Sequence, residues 1–185
     1  KRQGYLHITG GTVRNRKIIG PSSQNTRPMQ SFLRKTVFDL MPIPLHDTII
    51  WDLFAGSGAI GLEALSRGAA KAFFVEKDPK MVALIHRNVD LCGFRNSSRV
   101  FKSNFFQIER WIFKIEKPHI VFLDPPFSLD PKEVLEKMKT LDQALEGTLI
   151  IIRYAKNCQF SVENFFSRVF IFRVYGESVL VFGYF

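Results

Sequence analysis

TIIWDLFAGSGAIGLEALSRG, residues 48–68, decides the fold. Its first part, TIIWDLF, is a short apolar run led by β-branched residues, the composition of a strand buried on both faces. GSGAIG at 56–61 ends the run, and its glycines let the backbone turn tightly and come close to a ligand. LEALSRG then carries good helix formers to a closing glycine. Strand, glycine loop and helix in this order form the first unit of a nucleotide-binding parallel sheet. Glu76 follows Gly56 by twenty residues, at the end of the next apolar run, where such a sheet holds a ribose diol.

Outward from this unit the rhythm repeats. AKAFFVE, SRVFKS, HIVFL and TLIIIRY read as further strands. DPKMVALIHRNVDLCG reads as a helix with Asp78 as N-cap, Pro79 at its first position and Gly93 at its end. FFQIERWIFKI is expected to be a helix with Phe105, Ile108 and Ile112 on one side, and DPKEVLEKMKTL another with an Asp-Pro start. Alternation of this kind predicts an α/β fold with a mostly parallel sheet and right-handed crossovers. After Asn157 the pattern changes: FSRVFIFRVY and SVLVFGYF, joined at Gly176-Glu177, predict a β-hairpin. Ahead of the sheet, the first 20 residues predict a small hairpin with arginines near its tip. A helix is expected to follow, with Thr26 as N-cap and Pro28 at its first position. Met29, Leu33, Val37, Leu40 and Met41 would share one face, and Pro42 and Pro44 would stop it. The expected division is an extension, residues 1–44, and a catalytic domain, residues 45–185.

The charge is lopsided. Residues 1–44 hold eight Lys or Arg against the single acid Asp39, whereas the rest carries 18 basic and 16 acidic side chains. A basic block at one end suits a polyanion, because neutralising phosphates releases counterions. Arg14, Arg16 and Lys17 are the leading candidates for phosphate contacts; Arg27 and Arg34 are candidates for RNA or for a ligand carboxylate. No apolar stretch is long enough for a membrane span, and KRQGYLHITGG lacks the apolar core of a signal peptide, so a cytoplasmic location without membrane partners is expected. Cys92 and Cys158 stand apart without metal spacing and read as buried free thiols. His7, His46, His86 and His119 are scattered, and no metal site is expected.

The glycine loop alone admits two ligands. It satisfies the dinucleotide fingerprint of an NAD-dependent oxidoreductase, but Asp52 sits four residues before Gly56, where a pyrophosphate would lie. Like charges at close range are costly, so a cationic group suits that end better. S-adenosylmethionine carries an ammonium and a sulfonium there, and a ribose for Glu76. HIVFLDPPF, residues 119–127, adds the reacting end. A strand cannot continue through Pro125 and Pro126, so the chain leaves the sheet stiffly at Asp124. The Asp124 carboxylate and the Pro125 carbonyl would accept hydrogen bonds from one exocyclic amine, pushing its lone pair out of the ring plane. Phe127 would stack on the base. Direct in-line methyl transfer follows, without a covalent enzyme intermediate or a metal.

ITGGTVRNRKI, DLFAGSGAIGLEALSRGA, VEKD, IVFLDPPF and the closing hairpin together resemble the RsmD-type family of 16S rRNA (guanine(966)-N2)-methyltransferases. The resemblance implies a Rossmann-like class I methyltransferase fold, with a seven-stranded sheet whose last strand is reversed and helices on both faces. It implies S-adenosyl-L-methionine as cofactor. The acceptor would be guanine N2 of small-subunit ribosomal RNA, within an assembled or assembling particle. Asp52, Phe54, Gly56, Ser57, Gly58, Glu76, Lys77, Asn104 and Phe105 then match cofactor contacts, and Asp124, Pro125, Pro126 and Phe127 the catalytic turn. Other acceptors of the same turn, adenine N6 or a protein glutamine, remain the alternative. Met29, Ser31 and Lys35 depart from the family pattern, which has a threonine, a carboxylate and a glutamate there.

Overall fold

A computed structural model of the protein describes residues 4–21 and 31–185. Thr26, Arg27, Pro28 and Met29, named above as a helix start and an RNA contact, lie outside them. The chain forms two compact units, residues 1–105 and 106–185.

In the first unit β1 (Tyr5–His7) and β2 (Lys17–Ile19) make the expected antiparallel hairpin. α1 (Ser31–Asp39) follows, then β3 (Ile49–Asp52), α2 (Ala59–Ser66), β4 (Lys71–Glu76), α3 (Pro79–Cys92) and β5 (Ser98–Lys102). β3, β4 and β5 are parallel neighbours. Their register stacks Trp51 on Phe73 with ring centroids 4.5 Å apart and brings Phe101 to 5.7 Å from Trp51. The α3 boundaries follow from local chemistry: the Asp78 side chain accepts a hydrogen bond from the Lys80 amide, and Gly93 closes the helix in the left-handed region. α1 buries Leu33 and Val37 as the periodicity requires, together with Arg34 and Phe38. Leu40 and Met41 lie past its end and are only half-buried.

The second unit holds β6 (Ile120–Leu123), α4 (Pro131–Lys139), β7 (Leu149–Ala155), β8 (Arg168–Tyr175) and β9 (Ser178–Tyr184). β6 is wholly buried and pairs parallel with β7. β9 runs antiparallel to both β7 and β8 and lies between them. The sheet is seven-stranded, in the order β5-β4-β3-β6-β7-β9-β8, and β1-β2 stand apart from it. This is a Rossmann-like class I methyltransferase fold with the late strand reversed.

One element differs from expectation. Residues 105–115 form two short 3-10 turns, Phe105–Gln107 and Arg110–Lys114, rather than a helix. The stretch is rich in aromatic and β-branched residues, which favour helix weakly, and Glu109 makes no side-chain cap ahead of the second turn. Phe105, Ile108 and Ile112 are nevertheless buried, because a spacing of three or four serves a tight turn as well as a helix. Cys92 is buried, and that burial pushes its thiol up to about 11; Cys158 is half-buried instead. No helix of the described residues is long and apolar enough to cross a membrane.

Candidate active site

The first unit positions a carboxylate against a loop of backbone amides. Asp52 ends β3 and is 2% exposed. The chain then turns through Gly58, which stands at the N-cap of α2 with φ of 79°, a conformation costly for residues with a Cβ. Gly61 is required for a different reason: a Cβ there would lie 2.3 Å from the Phe74 ring, so the helix packs on β4 only without one. At the end of β4, Glu76 accepts a hydrogen bond from the Gly56 amide at 2.8 Å and another from the Asp78 amide at 2.9 Å. These two donors fix the carboxylate, and its remaining lone pairs can accept a pair of hydroxyls. Phe54 and Phe105 bring their rings to 4.7 Å, Ser57 is buried, and Lys77 and Asn104 are exposed nearby in the chain.

Asn88 of α3 ties the N-terminal hairpin to this loop. Its amide nitrogen donates to the Ile19 carbonyl at 2.8 Å and the Ser57 carbonyl at 2.9 Å, while its oxygen accepts from the Ile19 amide at 2.7 Å. α2 holds the hairpin a second time. Glu63 accepts from the Thr9 amide and hydroxyl at 2.8 and 2.7 Å. It also accepts from Arg34 Nε at 3.3 Å and Arg67 Nε at 2.8 Å. Ser66 donates to the Gly10 carbonyl at 2.6 Å and accepts from the Val13 amide at 3.1 Å. Glu63 and Ser66 of α2 and Arg67 at its C-cap, spaced three and four residues from Glu63, thus form one face, and the GLEALSRG stretch owes much of its character to the hairpin it carries.

That network corrects one expectation. Arg34 is fully buried, and its guanidinium pairs with Glu63 and donates to the His7 carbonyl. Burial lowers its pKa, with Glu63 opposing the shift. It is an internal strut, withdrawn from any surface where RNA would meet it. Arg14, Arg16 and Lys17 are exposed, the first two in the hairpin turn, and Lys17 Nζ lies 3.8 Å over the Tyr5 ring. Ser31 and Lys35 are exposed on α1, where Lys35 pairs with Asp39.

The second unit holds the Asp-Pro-Pro-Phe turn. β6 ends at Leu123, opposite Ile152, so the next pair in register is Asp124 and Arg153. Arg153 Nε donates to Asp124 Oδ1 at 2.6 Å, and Nη1 reaches the Ser178 hydroxyl at 3.4 Å. The guanidinium carbon lies 4.9 Å from the Phe127 ring centroid. Pro125 is buried, whereas Pro126 and Phe127 are exposed. Burial pushes the Asp124 carboxyl above its ordinary value, and the Arg153 charge and hydrogen bond pull the other way. Arg153 escaped sequence reasoning. The signal was present, since a lone cation inside LIIIRYA must find an anionic partner once the strand is buried.

Among known proteins, residues 6–184 match the family model described as conserved hypothetical protein 95. The chain is 39% identical over 125 residues to "Ribosomal RNA small subunit methyltransferase D" of Escherichia coli, covering 67% of this chain and 61% of that protein. The Haemophilus influenzae protein of the same name is 31% identical over 135 residues, covering 71% of this chain and 68% of that one. A solved structure, that of a hypothetical protein of Thermus thermophilus, superposes with a TM-score of 0.77 at 28% identity, covering 97% of this chain and 99% of that one. Another, the putative methyltransferase yhhF from Escherichia coli, gives 0.72 at 28% identity over 97% of each chain.

Proposed function

Because the chain belongs to the RsmD-type family of S-adenosylmethionine-dependent methyltransferases, we propose that it methylates the N2 amine of a guanine in small-subunit ribosomal RNA. The Asp124-Pro-Pro-Phe127 turn carries this reading. It presents a carboxylate, a carbonyl without competing amide donors and an exposed aromatic face on one rigid turn. S-adenosylmethionine supplies a methyl group on a sulfonium cation.

The chain's own residues do the rest. Glu76, already held by two amides, accepts the ribose hydroxyls. Asp52 offers its negative charge to the cofactor's ammonium end, Asn104 and Phe105 take the adenine as the family resemblance implies, and Phe54, packed on Phe105, is a further cofactor contact. Gly56 fits this arrangement, because nothing lies within 4 Å of where a Cβ would be, which leaves room for a ligand against the backbone. Asp124 and the Pro125 carbonyl accept the two hydrogens of the guanine amine, so its lone pair leaves the ring plane. Asp124 then stabilises the positive charge growing on that nitrogen, and the departing proton passes to Asp124 or to water. Residues 1–44 serve as the RNA-facing extension, with Arg14, Arg16 and Lys17 on phosphates.

The test is mass-spectrometric mapping of ribosomal RNA methylated by the purified protein with S-adenosylmethionine, on naked RNA and on small subunits. N2-methylguanine is the expected product. Methylation at adenine N6, or on a protein glutamine alone, would replace this reading.

A further inference from the structure

Arg153 is the single charged residue of β7 and the one residue of that strand that is half-buried, the others being buried. Its side chain is 12% exposed and that of Asp124 16%. A buried ion pair gives little stability beyond an apolar pair of the same volume, so stability alone is a weak reason for one here. The geometry has a more specific content. Nε, the nitrogen nearest the stem, takes Oδ1 of Asp124, leaving Oδ2 and the outer lone pairs for another donor. The guanidinium carbon meanwhile lies over the ring of Phe127, a residue that is 45% exposed. One cation thus touches both groups that the proposed reaction needs, the acceptor for the amine and the platform for the base.

We propose that Arg153 is a positioning residue for amine methylation, fixing the Asp124 carboxylate and the Phe127 ring in the arrangement that receives a planar amine. The inference rests on the reading of the Asp-Pro-Pro-Phe turn given above. It explains how a carboxylate at a buried strand end stays an acceptor. A protonated Asp124 would donate a hydrogen bond instead of accepting one from the amine, and burial favours that form. Among the described residues Arg153 is the charged group acting on Asp124, and β9 contributes the neutral hydroxyl of Ser178 through Arg153.

The test reads Asp124 directly. Protein labelled with 13C at aspartate carboxyls is titrated by NMR, the Asp124 signal being identified by its loss in Asp124→Asn. Removing an opposite charge at this distance in Arg153→Gln should raise the midpoint by about 1–3 pH units. Arg153→Lys keeps the cation and should hold the midpoint near that of the unaltered protein. In methylation assays both variants should lose roughly tenfold or more in kcat, because the acceptor is misplaced, while affinity for S-adenosylmethionine by calorimetry stays unchanged. The acid limb of the kcat profile should move upward in Arg153→Gln only. An unmoved midpoint in Arg153→Gln, or full kcat in Arg153→Lys, would overturn the inference; if Arg153→Gln does not fold, the lysine variant decides by its kcat. Asp124→Asn separates the two claims. If it keeps full activity, the reading of the turn itself is wrong. If it is inactive while Arg153→Gln behaves as the unaltered protein, the turn stands and Arg153 is structural.

Discussion

In the proposed reaction, Asp124 links acidity to activity and to stability with opposite signs. Its carboxyl is pushed above the ordinary aspartate range by burial, with Arg153 opposing. The proposed methylation uses the ionised form, so on that reading kcat should fall as pH drops through this raised midpoint, and a kcat profile measured from pH 4 to 9 checks it. Stability behaves in reverse. The folded state holds the proton more tightly than the unfolded chain, so this contribution is complete below the unfolded pKa and is lost as pH rises through the folded one. Asp124→Ala removes the acceptor, and activity should drop by at least about a hundredfold while cofactor binding by calorimetry persists. Glu63 is the second decisive residue. Glu63→Ala would strand Arg34 as a buried unpaired cation and should cost about 3–5 kcal/mol, measured by urea unfolding.

At the scale of elements, α2 shows how much one stretch can specify. Its glycine loop, its packing on β4 and its grip on the hairpin all lie within residues 56–67. Gly61→Ala should therefore destabilise by about 1–3 kcal/mol through overpacking against Phe74, read as a lowered Tm. The parallel strands, α3, α4 and the late hairpin were legible in sequence because periodicity, Asp-Pro starts and turn glycines agreed with one another. Residues 105–115 were misread because apolar spacing at three and four is common to helices and 3-10 turns. Arg34 was misread for a different reason. A basic residue in a basic segment looks like surface until its partner, Glu63, is brought in from 29 residues away by the fold. Arg153 was missed likewise, since the pairing of Asp124 with β7 depends on strand register, which sequence does not display.

For the molecule as a whole, charge is the property that sets how it meets a partner. The net charge is +9, and the exposed cations of the hairpin turn are carried on a base fixed by Glu63, Ser66 and Asn88. Rigid placement matters for the proposed RNA contacts, because pre-set cations avoid the ordering cost that a loose tail would carry on binding. Replacing Arg14 and Arg16 together with alanine should weaken binding to ribosomal RNA across sequences. It should also reduce the slope of log affinity against log salt by about 2, measured by filter binding between 50 and 200 mM salt. An unchanged slope would place the phosphate footprint on other cations.

The position of β9 between β7 and β8 has a consequence for biogenesis. Chains leave the ribosome in order, so the edge strand is made before the strand that must separate it from the interior. β8 therefore has no neighbour to pair with until its successor emerges, and its exposed Phe170, Phe172 and Val174 add to the hazard in that interval. A released chain truncated after Tyr175 would leave an open flank on β7 and no partner for β8, whereas the presence of β9 satisfies both in one step.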